Sequence, residues 1–368
     1  MSSQAVGSVL MGLMVTAVLF LPLVVWQYRR YGRFDASRML WTSAGFIYAS
    51  AIVAFTVFPL PEFTPGFCAA ERTSPQLDPL RFPTEVAGLV ADAGPSALLT
   101  DWLVWEFALN IVLFIPFGLI VRRVFEWPRG VVFFAGFVTS FLIEVTQATG
   151  NWGLMPCPYR VADVTDLFTN TTGAAVGIVL EKITPRLLSR KSHLLSQRDR
   201  ARPVTHGRRI LGMLLDTWYL SLAVIAGGTV VSAAYTISHG GPAEQLTSEQ
   251  LLDLERLIFV GAGLAALLTA VLPACLTNGA SLGQRTVYLV PVSNDGHGWQ
   301  LAVRSVVVQG SAAVLLSAGF PWVLLVSCLG AGSLVSACMS VRGISCIVAG
   351  CDIQDSRSVT PEAPVRPV

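Results

Sequence analysis

The chain has 368 residues, 53% of them hydrophobic and 13% charged, with a formal net charge of +2. Soluble domains carry roughly a quarter charged residues, so the composition excludes an ordinary cytosolic enzyme, and its apolar richness excludes a disordered chain. Seven cysteines without a CxxC pair give neither a disulfide framework nor a structural zinc site.

A membrane-spanning helix needs about 20 mostly apolar residues. Runs of that kind occupy 7–27, 39–60, 104–121, 130–149, 164–181, 210–235, 257–275, 302–318 and 322–341. The expected fold is an all-α integral membrane protein with about nine transmembrane helices in two helical bundles. The first run follows MSSQAVG, which has no positive charge, and lacks a small-residue cleavage site, so it reads as a span and not as a signal peptide.

Positive charge sets the expected orientation. Arg29, Arg30, Arg33 and Arg38 lie between spans one and two, Arg122, Arg123 and Arg129 between three and four, and nine Lys or Arg follow span five. The opposite loops hold Arg72, Arg81, Arg160 and Arg256. Short basic loops stay in the cytoplasm, which places the N-terminus outside and the C-terminus inside a bacterial plasma membrane. Residues 182–209 read as a basic cytoplasmic linker against anionic lipid, with no nucleic-acid partner. They divide a membrane domain at 1–181 from a second at 210–352, and the polar, Pro-containing segment 353–368 reads as a disordered tail.

Polar side chains within spans are expensive and mark functional positions. Span three carries Asn110, with Pro116 further along removing a backbone donor and favouring a kink. Span four carries Glu144 and Gln147, three residues apart on one face. Around the start of span five, Asp163, Asp166 and Asn170 recur at helical spacing and Gly173 and Gly177 continue the stripe, a small-residue face for close helix approach. The predicted topology brings all six polar residues to the outer leaflet, with Arg160 as the nearby cation. Interhelical hydrogen bonding accounts equally well for the three amides, and an ion pair with Asp163 or Asp166 for Arg160. Glu144 has no such obligatory partner and is the leading functional candidate.

The run NIVLFIPFG (110–118), the IEVTQ segment with Glu144 and Gln147, RVADVTDLFTNTTG (160–173) and the loop LDPLRFP (77–83) resemble the VanZ-like family in order and spacing. The resemblance covers roughly residues 40–180. It implies a membrane protein of a family whose best-known members confer low-level resistance to teicoplanin-type lipoglycopeptides.

In the second half, Arg209 and Asp216 are two helical turns apart, and TVYLVPV before Asn294-Asp295-Gly296 reads as a strand ending in a tight turn. With Ser281-Leu282-Gly283 and Arg304, this half resembles the RDD family, named for one arginine and two aspartates. Cys346 stands where that pattern has its second aspartate, which puts ion or proton movement in doubt. Asp216 reads more simply as the structural partner of Arg304 or Arg209.

Cys68 and Cys157 both fall in outer loops flanking the acidic cluster, where a disulfide between them is chemically allowed. The four histidines are scattered over linker and loops, so no histidine-ligated metal is expected, and no cofactor motif is present. The leading expectation is an envelope binding protein that engages membrane lipids, a lipid-linked wall intermediate or a lipoglycopeptide. A small-solute or ion transporter is the alternative, supported by buried charge but not by paired broken helices. A lipid-headgroup enzyme comes last, because neither a nucleophile nor a phosphate cradle is evident. Among the 25 basic residues only Lys182 and Lys191 are lysines, an Arg-rich usage that suits a GC-rich bacterial genome.

Overall fold

The computed structural model describes residues 2–70, 74–183, 190–239, 246–276, 279–293, 300–301, 346–347 and 349–359. It is mostly helical. Among the described residues six helices are long and apolar enough to cross a membrane: Val6–Tyr31, Ala36–Val57, Trp102–Phe125, Arg129–Ala148, His206–Ser238 and Ser248–Leu272. The fifth expected span is helical over Val164–Ile183 but more polar than these six, since it carries Asp166, Glu181 and Lys182. The eighth and ninth lie outside the described residues. The chain divides into two compact units, Met1–Phe20 with Asp35–Lys191 and Leu21–Phe34 with Ser192–Val368.

The first unit takes the greater part of α1 (Ser2–Tyr31), then α2 (Ala36–Val57), the short α3 (Phe67–Ala70), α4 (Arg81–Ala93), a 3-10 turn at Pro95–Leu99, α5 (Trp102–Phe125), α6 (Arg129–Ala148), a tight turn α7 (Gly150–Gly153) and α8 (Val164–Ile183). Aspartates start two of the long helices. Asp35 accepts the Arg38 backbone N–H at 3.0 Å and Asp101 that of Leu103 at 2.8 Å, each contributing about 1 kcal/mol.

The closest pairing is α5 with α8, and glycine sets it. A Cβ on Gly173 or Gly177 would lie 2.2 and 2.1 Å from the carbonyl oxygens of Ile111 and Ile115 on α5. A Cβ on Gly118 of α5 would lie 2.1 Å from the Ala174 carbonyl oxygen. The predicted small-residue face is therefore an intimate backbone contact. On α6 the residues Val132, Gly136, Ser140 and Glu144, spaced by four, are buried. Phe133, Phe134, Phe137 and Phe141 point outward. A polar-inside, phenylalanine-outside helix suits a surrounding of lipid.

Pro116 leaves α5 unbroken as a helix. The Tyr48 hydroxyl on α2 donates to the Leu113 carbonyl at 3.0 Å, one residue from the Val112 carbonyl that Pro116 cannot serve, and so fastens α2 to α5. At the C-terminal end of α5 the arginines are matched: Arg38 with Glu126 at 2.8 Å, and Arg122 and Arg123 each 3.9 Å from Glu181.

The second unit holds α9 (Lys191–Ser196), α10 (His206–Ser238), α11 (Ser248–Leu276), α12 (Leu282–Thr286) and the antiparallel strands β1 (Leu289–Ser293) and β2 (Cys351–Asp355). Leu220 and Ala266 pack between α10 and α11 with Val224 and Ala270 against them. β1 is the expected strand. Pro291 fits within it because a two-stranded ladder has free edges.

The expected tail at 353–368 needs correcting at its start, and residues 360–368 lie outside the described residues. Residues 351–355 are β2, with Leu289 opposite Asp355 and Ser293 opposite Cys351. Alternate residues Cys351, Ile353 and Asp355 are buried. The period-two burial that explains this is short, and the polar residues around it mask it.

Candidate functional site

The polar residues of the first unit gather where the start of α8 meets α5 and α6. Asn110 Nδ2 donates to Asp166 Oδ1 at 2.6 Å, joining α5 to α8. The Asp163 backbone N–H donates to Glu144 Oε2 at 2.8 Å, joining α6 to the residue before α8. Deeper along the same stripe, Asn170 Nδ2 donates to Ser140 Oγ at 3.1 Å, and Ser140 donates to the Asp166 carbonyl at 3.3 Å. Glu144 and Asn170 are both more than nine-tenths buried. Gln147, one turn beyond Glu144, is half-buried and its side chain has no part in this network.

The backbone brings Asp163 into place. The Gln76 N–H donates to the Ala162 carbonyl at 2.8 Å, and the Val164 N–H donates to the Gln76 carbonyl at 2.9 Å. Asp163 Oδ1 accepts the Thr165 backbone N–H at 2.7 Å and turns the chain into α8.

The cation beside this cluster is Arg81, not Arg160. Arg81 Nη1 lies 3.7 Å from Asp163 Oδ2, and its Nε donates to Glu85 at 2.8 Å. That hydrogen bond, and then the carboxylate charges of Glu85, Asp163 and Glu106, hold the Arg81 pKa above its ordinary value. Stacking of Phe82 on Phe107, with ring centroids 3.8 Å apart, fastens α4 to α5 and so carries Arg81 to the cluster.

Arg160 instead donates to the Phe58 carbonyl, and Tyr159 to that of Val57, so both serve the C-terminal end of α2, where helix carbonyls lack partners. Asn151, at φ 57°, donates to the Tyr159 hydroxyl at 2.9 Å. Cys68 and Cys157 form a disulfide with Cα atoms 5.8 Å apart, tying the loop after α2 to the same turn.

The cluster therefore presents acceptors in excess. Glu144, Asp163 and Asp166 stand together, and the Arg81 guanidinium reaches only Asp163 at ion-pair distance. Asn170 Oδ1 is buried without a hydrogen-bond partner. A buried amide oxygen left unpaired costs about 1–3 kcal/mol. Residues 45–184 match the VanZ/LLP1 family model. The match runs from within α2 to the end of α8, less than half of the chain, and contains every residue of the cluster. The match supports reading this N-terminal half as VanZ-like. No curated protein and no solved structure matches the chain.

In the second unit Asp216 accepts from the Ser281 hydroxyl at 2.6 Å and from the Gly283 backbone N–H at 2.7 Å. It holds the start of α12 against α10, where Gly283 abuts the Gly212 carbonyl. Arg209 is buried, and Arg304 lies outside the described residues. The neighbouring Arg208 is a hub that the sequence did not disclose. It donates to the Val287 and Tyr288 carbonyls at 2.7 and 2.8 Å and pairs with Asp355 at 2.8 Å. Asp355 also receives Arg357 Nε and Nη2 at 2.9 and 2.7 Å and the Arg202 backbone N–H at 3.0 Å. Burial alone would raise the Asp355 pKa, but the hydrogen bonds from Arg357 and Arg202 and the charge of Arg208 outweigh it, holding the carboxyl well below the ordinary carboxylate range. The comparisons lend no support to an RDD domain here.

Proposed function

We propose that the VanZ-like domain is an envelope binding domain whose Glu144–Asp163–Asp166 cluster engages the headgroup of an amphiphile from the outer leaflet. One observation carries the reading: three carboxylates and the unpaired Asn170 Oδ1 share one site, with ion-pair contact from Arg81 only at Asp163. Such a site seeks hydrogen-bond donors or an amine. A lipid-linked wall intermediate or a lipoglycopeptide of teicoplanin type carries donors on an amphiphilic frame. The positive-inside pattern supports the N-terminus outside and the C-terminus inside, with α8 crossing beside α5 despite its polar stripe. The two expected spans between 302 and 341 complete a nine-span chain whose second half, from about residue 210, is RDD-like by its Arg209, Asp216 and Arg304.

The test is susceptibility of a host with and without the gene to lipidated and non-lipidated glycopeptides, repeated with Glu144→Gln. Protection against the lipidated drugs alone, lost in the variant at normal membrane abundance, is expected. Equal susceptibility with and without the gene would count against a drug ligand. Proton or sodium flux into vesicles that follows Glu144 would favour a transporter.

A further inference from the structure

The second unit contains a half-open cavity of about 360 Å³ lined by Arg29, Tyr219, Leu282, Arg285, Thr286 and Tyr288. We propose that this cavity binds a phosphoryl anion, carried by the headgroup of an anionic phospholipid or by a small soluble phosphate ester. Among the described residues, two guanidinium groups and no carboxylate line it. Guanidinium forks match phosphate oxygens in geometry as well as charge.

The walls are suited to such a ligand. The Tyr219 hydroxyl and Thr286 Oγ1 are 3.1 Å apart. Thr286 Oγ1 gives its proton to the Leu282 carbonyl at 2.9 Å, so Tyr219 donates to Thr286 and the two hydroxyls brace the wall, leaving the anion to the guanidinium groups. Arg285 Nε donates to the Ala280 carbonyl at 3.0 Å, which fixes the stem of that side chain beside the cavity. Tyr288 holds a left-handed backbone at φ 56°, which a non-glycine residue adopts only where its surroundings enforce it. The Arg357 guanidinium, 4.4 Å from the Tyr288 ring centre, holds that ring in position. Strain kept at a cavity wall points to a shape worth preserving.

Location favours a headgroup as the carrier. Arg29 is exposed in the last turn of α1, a helix apolar enough to cross a membrane, so it lies at the polar end of a candidate span. The volume falls within the roughly 300–1,000 Å³ of small-molecule sites, leaving room for the ester group that carries the phosphate.

The experiment is a fluorescence binding titration of the full-length chain in neutral detergent. The probes are phosphatidylglycerol, phosphatidylcholine, glycerol phosphate and inorganic phosphate. Saturable binding of phosphatidylglycerol but not phosphatidylcholine is expected, with the midpoint raised about tenfold or more in Arg29→Gln, as loss of a charge-assisted hydrogen bond implies. Arg256→Gln, an exposed arginine paired with Asp253, should leave the midpoint unchanged. Glycerol phosphate that binds with the same Arg29 dependence assigns a soluble ester as carrier, and phosphatidylglycerol alone assigns the lipid. Arg29 is exposed, so its variant folds, and Arg29→Gln/Arg285→Gln should weaken binding further. Equal binding of both phospholipids, no binding of any probe, or an unchanged midpoint in Arg29→Gln would overturn the proposal.

Discussion

Glu144 and Asp166 present the central question at the scale of single side chains, because each is a carboxylate held by another helix. Glu144→Gln keeps the size and the acceptor for the Asp163 N–H while removing the charge. If the charge meets a ligand, this variant loses protection while Glu144→Asp retains part of it, both read per amount of folded protein. If Glu144 only ties α6 to α8, Glu144→Gln is neutral or stabilising, since a buried charge is costly. Asn110→Ala is expected to cost about 1–3 kcal/mol in thermal or denaturant unfolding, because it strips Asp166 of its 2.6 Å donor. The residues of this cluster were legible in the sequence as polar interruptions of apolar runs. Their partners were not. Arg81 reaches Asp163 across a long loop through the Gln76 bridge, a contact with no local spacing to reveal it. Arg160 was misplaced because short-range charge pairing ignores unfilled carbonyls, and the end of α2 supplies them.

Helices and strands are set by where backbones must touch. Gly177→Leu puts a side chain into the Ile115 carbonyl and should force α5 from α8, costing about 1–3 kcal/mol or more and breaking the cluster at a distance. A reduced unfolding temperature together with lost protection, while Gly88→Leu on the exposed α4 changes neither, is the expected pattern. Glycine spacing made this contact readable in advance. The β1–β2 pair was only half readable, because its second strand is five residues within a polar segment and its stability comes from Asp355. That carboxyl has a depressed pKa, so its contribution is full above the unfolded value of roughly 4 and declines as pH falls below it. The protection of the Leu289–Ser293 amides, taken relative to the intrinsic exchange rate at each pH, should therefore fall below about pH 4. In Asp355→Asn the same protection should be low already at pH 7, since removing one partner of a buried pair costs about 3–5 kcal/mol. Protection independent of both acid and substitution would show that the ladder stands without the arginine lock.

At the scale of the whole molecule, sidedness is the prediction on which the others depend. In the first unit the arginines at the C-terminal end of α5 are paired with Glu126 and Glu181, while the acidic cluster and the disulfide lie by the start of α8. A disulfide persists in an oxidising compartment, and short basic loops are held in the cytoplasm. Both arguments support the proposal that the cluster faces outward, and they are independent, one resting on redox chemistry and the other on translocation of charge. Single cysteines introduced at Leu77 and at Trp127, both exposed, test them together. In intact cells a membrane-impermeant maleimide should label Leu77→Cys and leave Trp127→Cys untouched until the membrane is opened. Native Cys68 and Cys157 should react with the same reagent only after an impermeant reductant has been applied. Labelling of Trp127→Cys in intact cells would invert the domain, place the acidic cluster against the cytoplasm, and remove any extracellular drug or wall intermediate from its reach.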